Sequence, residues 1–338
     1  MSELRLDPTT REWVIIATER AKRPRDLVSR VPHPLPEAHV ADCPFCPGNE
    51  EMTTGETASY VDPATGLWRV RVFENKFPAV HPDGCAERFQ DHPLALSAKG
   101  VGLHEVVVES AGHNRYLAHM DDDEVYDVVR AYRDRLCEMC TLDYVRQVII
   151  FKNHGLSAGT SLEHPHSQIV GMPVVPWHRR HQYDVAVRHY DERGCNLYRE
   201  MVEFELERGL RVVHEGDLFV EMHPYASRRP FETWIVPKTP LASFADVPDE
   251  ELRAFGVALR DALRRLYVGL NNPDFNHVLY TAALGDENEP HFCWHLRIYP
   301  RLTAVAGFEI GSGIHINTSV PEDTARFMRD VALGEKGS

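Results

Sequence analysis

Val148-Ile149-Ile150-Phe151-Lys152-Asn153-His154-Gly155, continued by Gly159-Thr160-Ser161-Leu162-Glu163-His164-Pro165-His166-Ser167-Gln168-Ile169, is the stretch that decides the reading of this chain. The run of β-branched and aromatic residues from Val148 to Phe151 predicts a buried strand. A loop between Gly155 and Ser161 follows, and after it a second strand. Its period of two turns His164, His166 and Gln168 to one face. A lone strand histidine is more often a satisfied core residue, but two imidazoles and an amide on one face after a glycine-rich loop mark a candidate site. Neutral imidazole is a competent nucleophile toward phosphorus near pH 7, so His166 is positioned by type to attack a nucleotide α-phosphate.

Working outward, the elements around this stretch recur. In the first half, strand-like runs at Trp68 to Val72 and His104 to Glu109 precede a helix. The helix opens on Asp121-Asp122-Asp123-Glu124 and carries Val125, Val128, Val129, Tyr132 and Leu136 at helical spacing. In the second half, Leu218 to Glu221 and Phe231 to Val236 precede a helix with Leu252, Phe255, Leu259, Leu263 and Leu266. His277-Val278-Leu279-Tyr280 then matches Val148 to Phe151. Cys293-Trp294-His295-Leu296-Arg297-Ile298 matches His164 to Ile169, with His295 lying 129 residues after His166. The expectation is an α+β fold of two tandem modules, each an antiparallel sheet with a packed helix. The modules are set at residues 1–180 and 181–338. The first holds the catalytic triplet, the second lacks the full triplet, and polar sequence between Trp177 and Arg211 separates them. Residues 1–40 read as an irregular arm around one strand, Trp13 to Ala17.

The 338 residues are 43% hydrophobic and 26% charged, a soluble globular composition. A formal charge of −14 disfavours general nucleic-acid binding. No apolar run reaches the ~18 residues of a membrane span, and Met1-Ser2-Glu3-Leu4-Arg5 does not open a secretory signal. The reading is a cytoplasmic protein without a membrane partner. Its seven cysteines are thiols, metal ligands or core filler in a reducing compartment.

Cys43-Pro44-Phe45-Cys46 is a C-x2-C in a tight turn, where two thiolates can share one tetrahedral ion. Two further ligands are on offer, His113 and His164; the competing reading is a pair of packed thiols. Cys137 and Cys140 sit on the predicted helix and read as core packing, and Cys85, Cys195 and Cys293 have no partner at metal spacing.

The run Phe151-x-Asn153-x-Gly155-x3-Gly159-x-Ser161-x2-His164-Pro165-His166-x-Gln168 resembles the active-site signature of galactose-1-phosphate uridylyltransferases, a branch of the histidine-triad superfamily. Asp7-Pro8-Thr9, Arg20 to Pro24, Asn75-Lys76-Phe77-Pro78 and Arg228 to Trp234 extend the likeness along nearly the whole chain. The resemblance implies two histidine-triad modules in a homodimer. It implies a ping-pong transfer of UMP between UDP-glucose and hexose 1-phosphate in galactose metabolism, through a uridylyl-histidine at His166. It makes Gln168 the amide that holds the transferred phosphoryl group, and gives phosphate oxygens to Asn153 and Ser161. Lys22, Arg23 and Asn75 are assigned to the nucleotide, and Cys43, Cys46, His113 and His164 to one Zn2+ per chain. Gln suits transfer between phosphates, because an amide is no general acid or base and a sugar phosphate leaves without acid help.

Departures concern metal and sugar. His295-Leu296-Arg297 and Tyr280 stand where relatives with a second metal have histidines, so no second metal site is expected. Phe308 and Glu309 resemble the hexose-contacting segment, with Asn317 the nearest candidate for its downstream Gln. The alternatives are an ADP-sugar phosphorylase or adenylyltransferase of the same superfamily and, from other classes, a catalytically dead zinc-stabilised nucleotide-binding protein or a nucleic-acid end sensor.

Overall fold

The computed structural model describes residues 2–18, 24–28 and 35–333. Lys22 and Arg23 lie outside the described residues. The chain opens with β1 (Glu3–Leu6) and β2 (Trp13–Ile16), then β3 (Glu56–Val61), β4 (Trp68–Glu74), the exposed hairpin β5 (Arg88–His92) and β6 (Ala95–Ala98), and β7 (Leu103–Val108). Helix α1 (Asp122–Cys140) leads to β8 (Gln147–His154), β9 (His166–Met172), α2 (Trp177–Arg193) and α3 (Leu197–Arg208). The second half runs β10 (Val212–Glu215), β11 (Phe219–Met222), β12 (Thr233–Pro237), α4 (Asp249–Leu270), β13 (Phe275–Tyr280) and β14 (His295–Pro300). It ends with α5 (Gly307–Ser312), β15 (His315–Asn317) and α6 (Pro321–Arg329).

Ten strands form one antiparallel sheet in the order β10-β11-β12-β14-β13-β8-β9-β7-β4-β3. The order shows the duplication. β13 and β8 pair at the centre, β14 and β9 flank them, and the outer strands follow symmetrically. Residues from each half therefore supply five adjacent strands. The two counterpart helices α1 and α4 pack on each other and on one face of this sheet, in a core that runs through both halves from Val72 and Tyr132 to Phe255 and Trp294. Helix α1 starts where expected: Asp121 accepts from the Asp123 and Glu124 amides and Glu124 caps back onto Asp121, a box that contributes about 1 kcal/mol.

Two segments differ from the sequence reading. The arm holds two strands rather than one, and β2 pairs in parallel with β15 of the second half, so the first residues of the chain bind the far module. The four-residue strand Glu3–Leu6 was too short to show a period. The polar stretch after Trp177, read as interrupting the pattern between the modules, is folded into the helices α2 and α3, and residue 180 falls inside α2. Helix α2 buries Arg179, Gln182, Tyr183 and Ala186, too few apolar positions to register as helical spacing. No described helix is long and apolar enough to cross a membrane.

Candidate active site

Strand β9 pairs with β8 on one side and β7 on the other, with Phe151 opposite Gln168 and Lys152 opposite Ser167. Asn153, next along β8, and His166, which opens β9, line one cavity. The loop between β8 and β9 is held from the second half. Gly155 has a φ of 83°, and a β-carbon there would meet the Asp274 carboxylate at 1.8 Å. Asp274 in turn accepts from the Ser157 amide at 2.7 Å and hydroxyl at 2.6 Å. Only glycine permits both the left-handed backbone and that approach.

His166 is 7% exposed, and its Nδ1 lies 2.8 Å from the His164 carbonyl oxygen. A carbonyl only accepts, so Nδ1 carries the proton and the lone pair of the neutral ring sits on Nε2. Burial and the nearby Lys152 ammonium hold its pKa below the ordinary histidine range, which keeps that lone pair free. The Phe45 ring meets His166 nearly edge-on at 5.3 Å between centroids.

Phe45 lies within the C-x2-C turn, whose thiols are gathered with both candidate imidazoles. Cys43 Sγ lies 3.7 Å from His164 Nδ1, while Cys46 Sγ lies 3.6 Å from the same atom and 3.4 Å from His113 Nδ1. All four side chains are buried. Metal–sulfur and metal–nitrogen bonds of about 2.3 and 2.0 Å at a tetrahedral angle set such edges near 3.6 Å, so the donors fit one ion. The outer hydrogen bond fits as well: His164 Nε2 donates to the Ser110 carbonyl at 2.7 Å, leaving Nδ1 unprotonated as a ligand must be.

The opposite face of β9 is a buried ionic network that sequence reasoning missed. Lys152 Nζ donates to Glu109 at 2.6 Å and to the His166 carbonyl oxygen at 3.2 Å. Glu109 also accepts from Ser167 and, at 3.1 Å, from Tyr132. Burial alone would raise the Glu109 carboxyl, but Lys152 and Ser167 hold it below its ordinary value. His104 was missed too; it stands on β7 with Nε2 2.8 Å from Gln168 Oε1 and 3.1 Å from Asn75 Nδ2. Its signal was the alternation of β7, which puts it on the Gln168 face.

A cavity of about 190 Å³ opens at this site, lined among others by Asn153, Gly155, Thr160, His164 and His166. Ser161 is exposed on the same loop. The sugar candidates Phe308, Glu309 and Asn317 do not line this cavity. Phe308 is half exposed on α5, and the Glu309 carboxylate accepts from the Ala306 amide at 3.1 Å. Asn317 is buried in β15, its nitrogen donating to the Ser227 carbonyl and its oxygen accepting from the Ser319 amide, so both ends of its amide already have partners within the protein. A larger cavity of about 940 Å³ lies between β1, α2 and α3 and contains none of the expected site residues.

The counterpart site in the second half has the same skeleton with its histidine capped. His295 Nδ1 lies 2.9 Å from the Cys293 carbonyl, as His166 does from His164. Its Nε2, however, accepts from Arg297 Nε at 2.9 Å, and the guanidinium is packed over Trp234 and Tyr280. His295 is wholly buried and its lone pair is occupied.

Comparison with known proteins agrees with this geometry. Residues 1–176 match the family model described as galactose-1-phosphate uridyl transferase, N-terminal domain. An ADP-glucose phosphorylase from Arabidopsis thaliana is 35% identical over 335 residues, 98% of this chain and 93% of its own. A galactose-1-phosphate uridylyltransferase from Thermotoga maritima is 28% identical over 343 residues, 98% of this chain and 99% of its own. The crystal structure of an ADP-glucose phosphorylase from Arabidopsis thaliana with bound ADP-glucose superposes with a TM-score of 0.83 at 32% identity, covering 98% of this chain and 100% of that one. With its signature strand, its duplicated sheet and its full length matched, the chain belongs to the galactose-1-phosphate uridylyltransferase family.

Proposed function

We propose that the protein is a nucleotidylyltransferase that moves UMP between UDP-glucose and a hexose 1-phosphate, most directly galactose 1-phosphate, by a ping-pong route through His166. The observation that carries this is the bare Nε2 of His166 in the cavity it shares with Asn153, with its proton fixed on Nδ1 by the His164 carbonyl. Nε2 attacks the α-phosphorus, and the bond from that phosphorus to the bridging oxygen breaks. Hexose 1-phosphate leaves with the electron pair as an anion. A phosphate oxygen of the acceptor then attacks the nucleotidyl-imidazole, and His166 departs neutral. Gln168, Asn153 and Ser161 serve the phosphate oxygens, and an amide at Gln168 gives water no general base. Asn75, Lys22 and Arg23 belong to the nucleotide subsite by resemblance, and Phe308, Glu309 and Asn317 to the sugar by resemblance alone.

The Cys43, Cys46, His113 and His164 group is assigned to zinc, the ion suited to two thiolates and two imidazoles. When bound it supplies structural bracing: His164 and Phe45 are tied to one point, which orients the strand and ring around His166. A homodimer in the cytoplasm belongs to the same reading and rests on the family likeness.

A second reading, an ADP-sugar phosphorylase using inorganic phosphate, is favoured by the 35% identity to the Arabidopsis relative against 28% to the Thermotoga one. Both readings share the His166 step. Incubation with UDP-glucose or ADP-glucose without acceptor, followed by intact mass, tests it: a stable adduct is expected, and none on His166→Ala protein. Which donor yields the adduct, and whether galactose 1-phosphate or inorganic phosphate discharges it, selects the reading; an adduct on His166→Ala would overturn both.

A further inference from the structure

The end of a side-chain amide that faces a ligand is fixed when a chain of hydrogen bonds begins at a group that can only donate. Two such chains end beside His166. In the first, the Ala79 backbone N–H donates to His104 Nδ1 at 3.0 Å. Nδ1 is therefore bare, and the single proton of the neutral ring lies on Nε2. Burial, which lowers the His104 pKa against the raising effect of its Gln168 bond, agrees with a neutral ring. Nε2–H then donates to Gln168 Oε1 at 2.8 Å, so the glutamine oxygen is used up and its NH2 is free. The Asn75 nitrogen 3.1 Å away faces the same N–H and cannot bond it, because the Asn75 oxygen is held by the Phe77 amide at 2.9 Å.

The second chain crosses between the modules. The Arg301 guanidinium, which has no acceptor, donates through Nε to Asn276 Oδ1. Asn276 Nδ2 must then donate, and it does so to Asn153 Oδ1 at 2.7 Å and the Ala158 carbonyl at 2.8 Å. The Asn153 oxygen is used up in turn. Among the described residues nothing accepts from Gln168 Nε2 or Asn153 Nδ2, and neither is a sealed, unsatisfied buried atom.

We infer that His104 and the Arg301–Asn276 pair are positioning residues that lock Gln168 and Asn153 with their N–H groups, rather than their oxygens, turned toward the phosphate. Phosphate oxygens only accept, so the direction decides between a charge-assisted hydrogen bond and a repulsive contact. This rests on the nucleotidyl-transfer reading of the site, and it gives the second module a task there: it sets the polarity of Asn153.

The test is a pair of near-isosteric substitutions that reverse a relay. Asn276→Asp keeps the bond from Arg301 but can only accept, so Asn153 must turn its nitrogen to Asp and its oxygen to the ligand. His104→Glu reverses Gln168 in the same way, whereas His104→Gln, able to accept and donate together, retains the direction. The probes are the affinity of the metal-loaded full chain for UMP and AMP and the rate of His166 adduct formation. Each reversed variant should lose roughly 10- to 100-fold in both, with His104→Gln recovering most of it. Asn153→Ala with Asn276→Asp should be no worse than Asn153→Ala alone, since the effect of Asn276 passes through Asn153. Nitrogen-15 NMR of the resting protein should show His104 protonated on Nε2. Should His104 carry its proton on Nδ1, or Asn276→Asp bind and react like wild type, or wild type bind neither monophosphate, the inference is overturned. If wild type binds a monophosphate with the stated tautomer yet never forms an adduct, the transfer reading fails and the relays stand.

Discussion

Lys152 and Glu109 form an ion pair of 2.6 Å that is almost wholly buried, directly under the strand that carries His166. The same ammonium reaches the His166 carbonyl oxygen at 3.2 Å, so the pair anchors the backbone of His166 from below the strand. Desolvating two charges is offset only while both are present. Lys152→Met leaves the Glu109 carboxylate without its cation and is expected to cost about 3–5 kcal/mol in chemical denaturation. Lys152→Met with Glu109→Gln should recover much of that stability, but transfer should stay slow because the His166 backbone has lost its tether. A double variant that regains both would show that the pair serves stability alone.

Buried histidines make the fold sensitive to acid. Burial holds His223 and His277 down to about 3 and His154 down to about 4, against 6.5 for the free side chain. The sign follows from these depressions: the unfolded chain takes up protons below pH 6.5 that the folded chain refuses. The stability they contribute is therefore full above that pH and falls as pH drops toward 4. Each histidine loses roughly 2 kcal/mol by pH 5. Denaturation midpoints between pH 7 and 5 should fall accordingly, and His277→Gln should flatten the slope by about one proton. An unchanged slope in that variant would remove His277 from the account.

Metal removal should act through geometry rather than chemistry. The Cys2His2 donors converge two residues from His166, and Phe45, from the same turn, packs its edge on that ring. Protein prepared without chelators should contain one zinc per chain, and Cys43→Ser with Cys46→Ser should remove it. The variant is expected to melt lower and to lose transfer rate, since His164 and Phe45 are no longer held to a common point. Full activity in zinc-free protein would contradict the bracing role.

The duplicated order of elements and the pairing of His166 with Gln168 on one strand were legible because both rest on strand alternation, which survives in β8, β9, β13 and β14; β9 begins only at His166, so His164 precedes the strand in a bend rather than extending its face. The four metal-ligating candidates, scattered over Cys43, Cys46, His113 and His164, do converge. What stayed hidden depends on register. Nothing local in Asn276 or Arg301 points to Asn153, because their meeting is made by β13 pairing with β8 across 123 residues. Lys152 and Glu109 look like ordinary charges on half-exposed strands until helix α1, with Tyr132, covers that face. Asn317 offers an amide like the glutamine it stands for, but its place in β15 beside the arm strand β2 is not legible from composition.

In the proposed reaction, Gln168 sets the choice between transfer and hydrolysis. Its oxygen is held by His104 at 2.8 Å, and an amide neither takes nor gives a proton at neutral pH. On the proposed transfer reading it stabilises a nucleotidyl-imidazole by hydrogen bonds without activating water, so the intermediate waits for an incoming phosphate. Wild-type protein given donor without acceptor should release one equivalent of sugar phosphate per site and little free nucleotide afterwards. Gln168→His places a proton-exchanging group beside His104 and His166. The ratio of hydrolysis to transfer should rise, while total activity falls because the ring cannot reproduce the geometry of the amide. Stopped-flow release of sugar phosphate, followed by steady-state release of nucleotide, separates the two steps. If wild-type protein hydrolyses its donor as fast as it transfers to its best acceptor, Gln168 does not protect the intermediate, and the site works as a hydrolase instead.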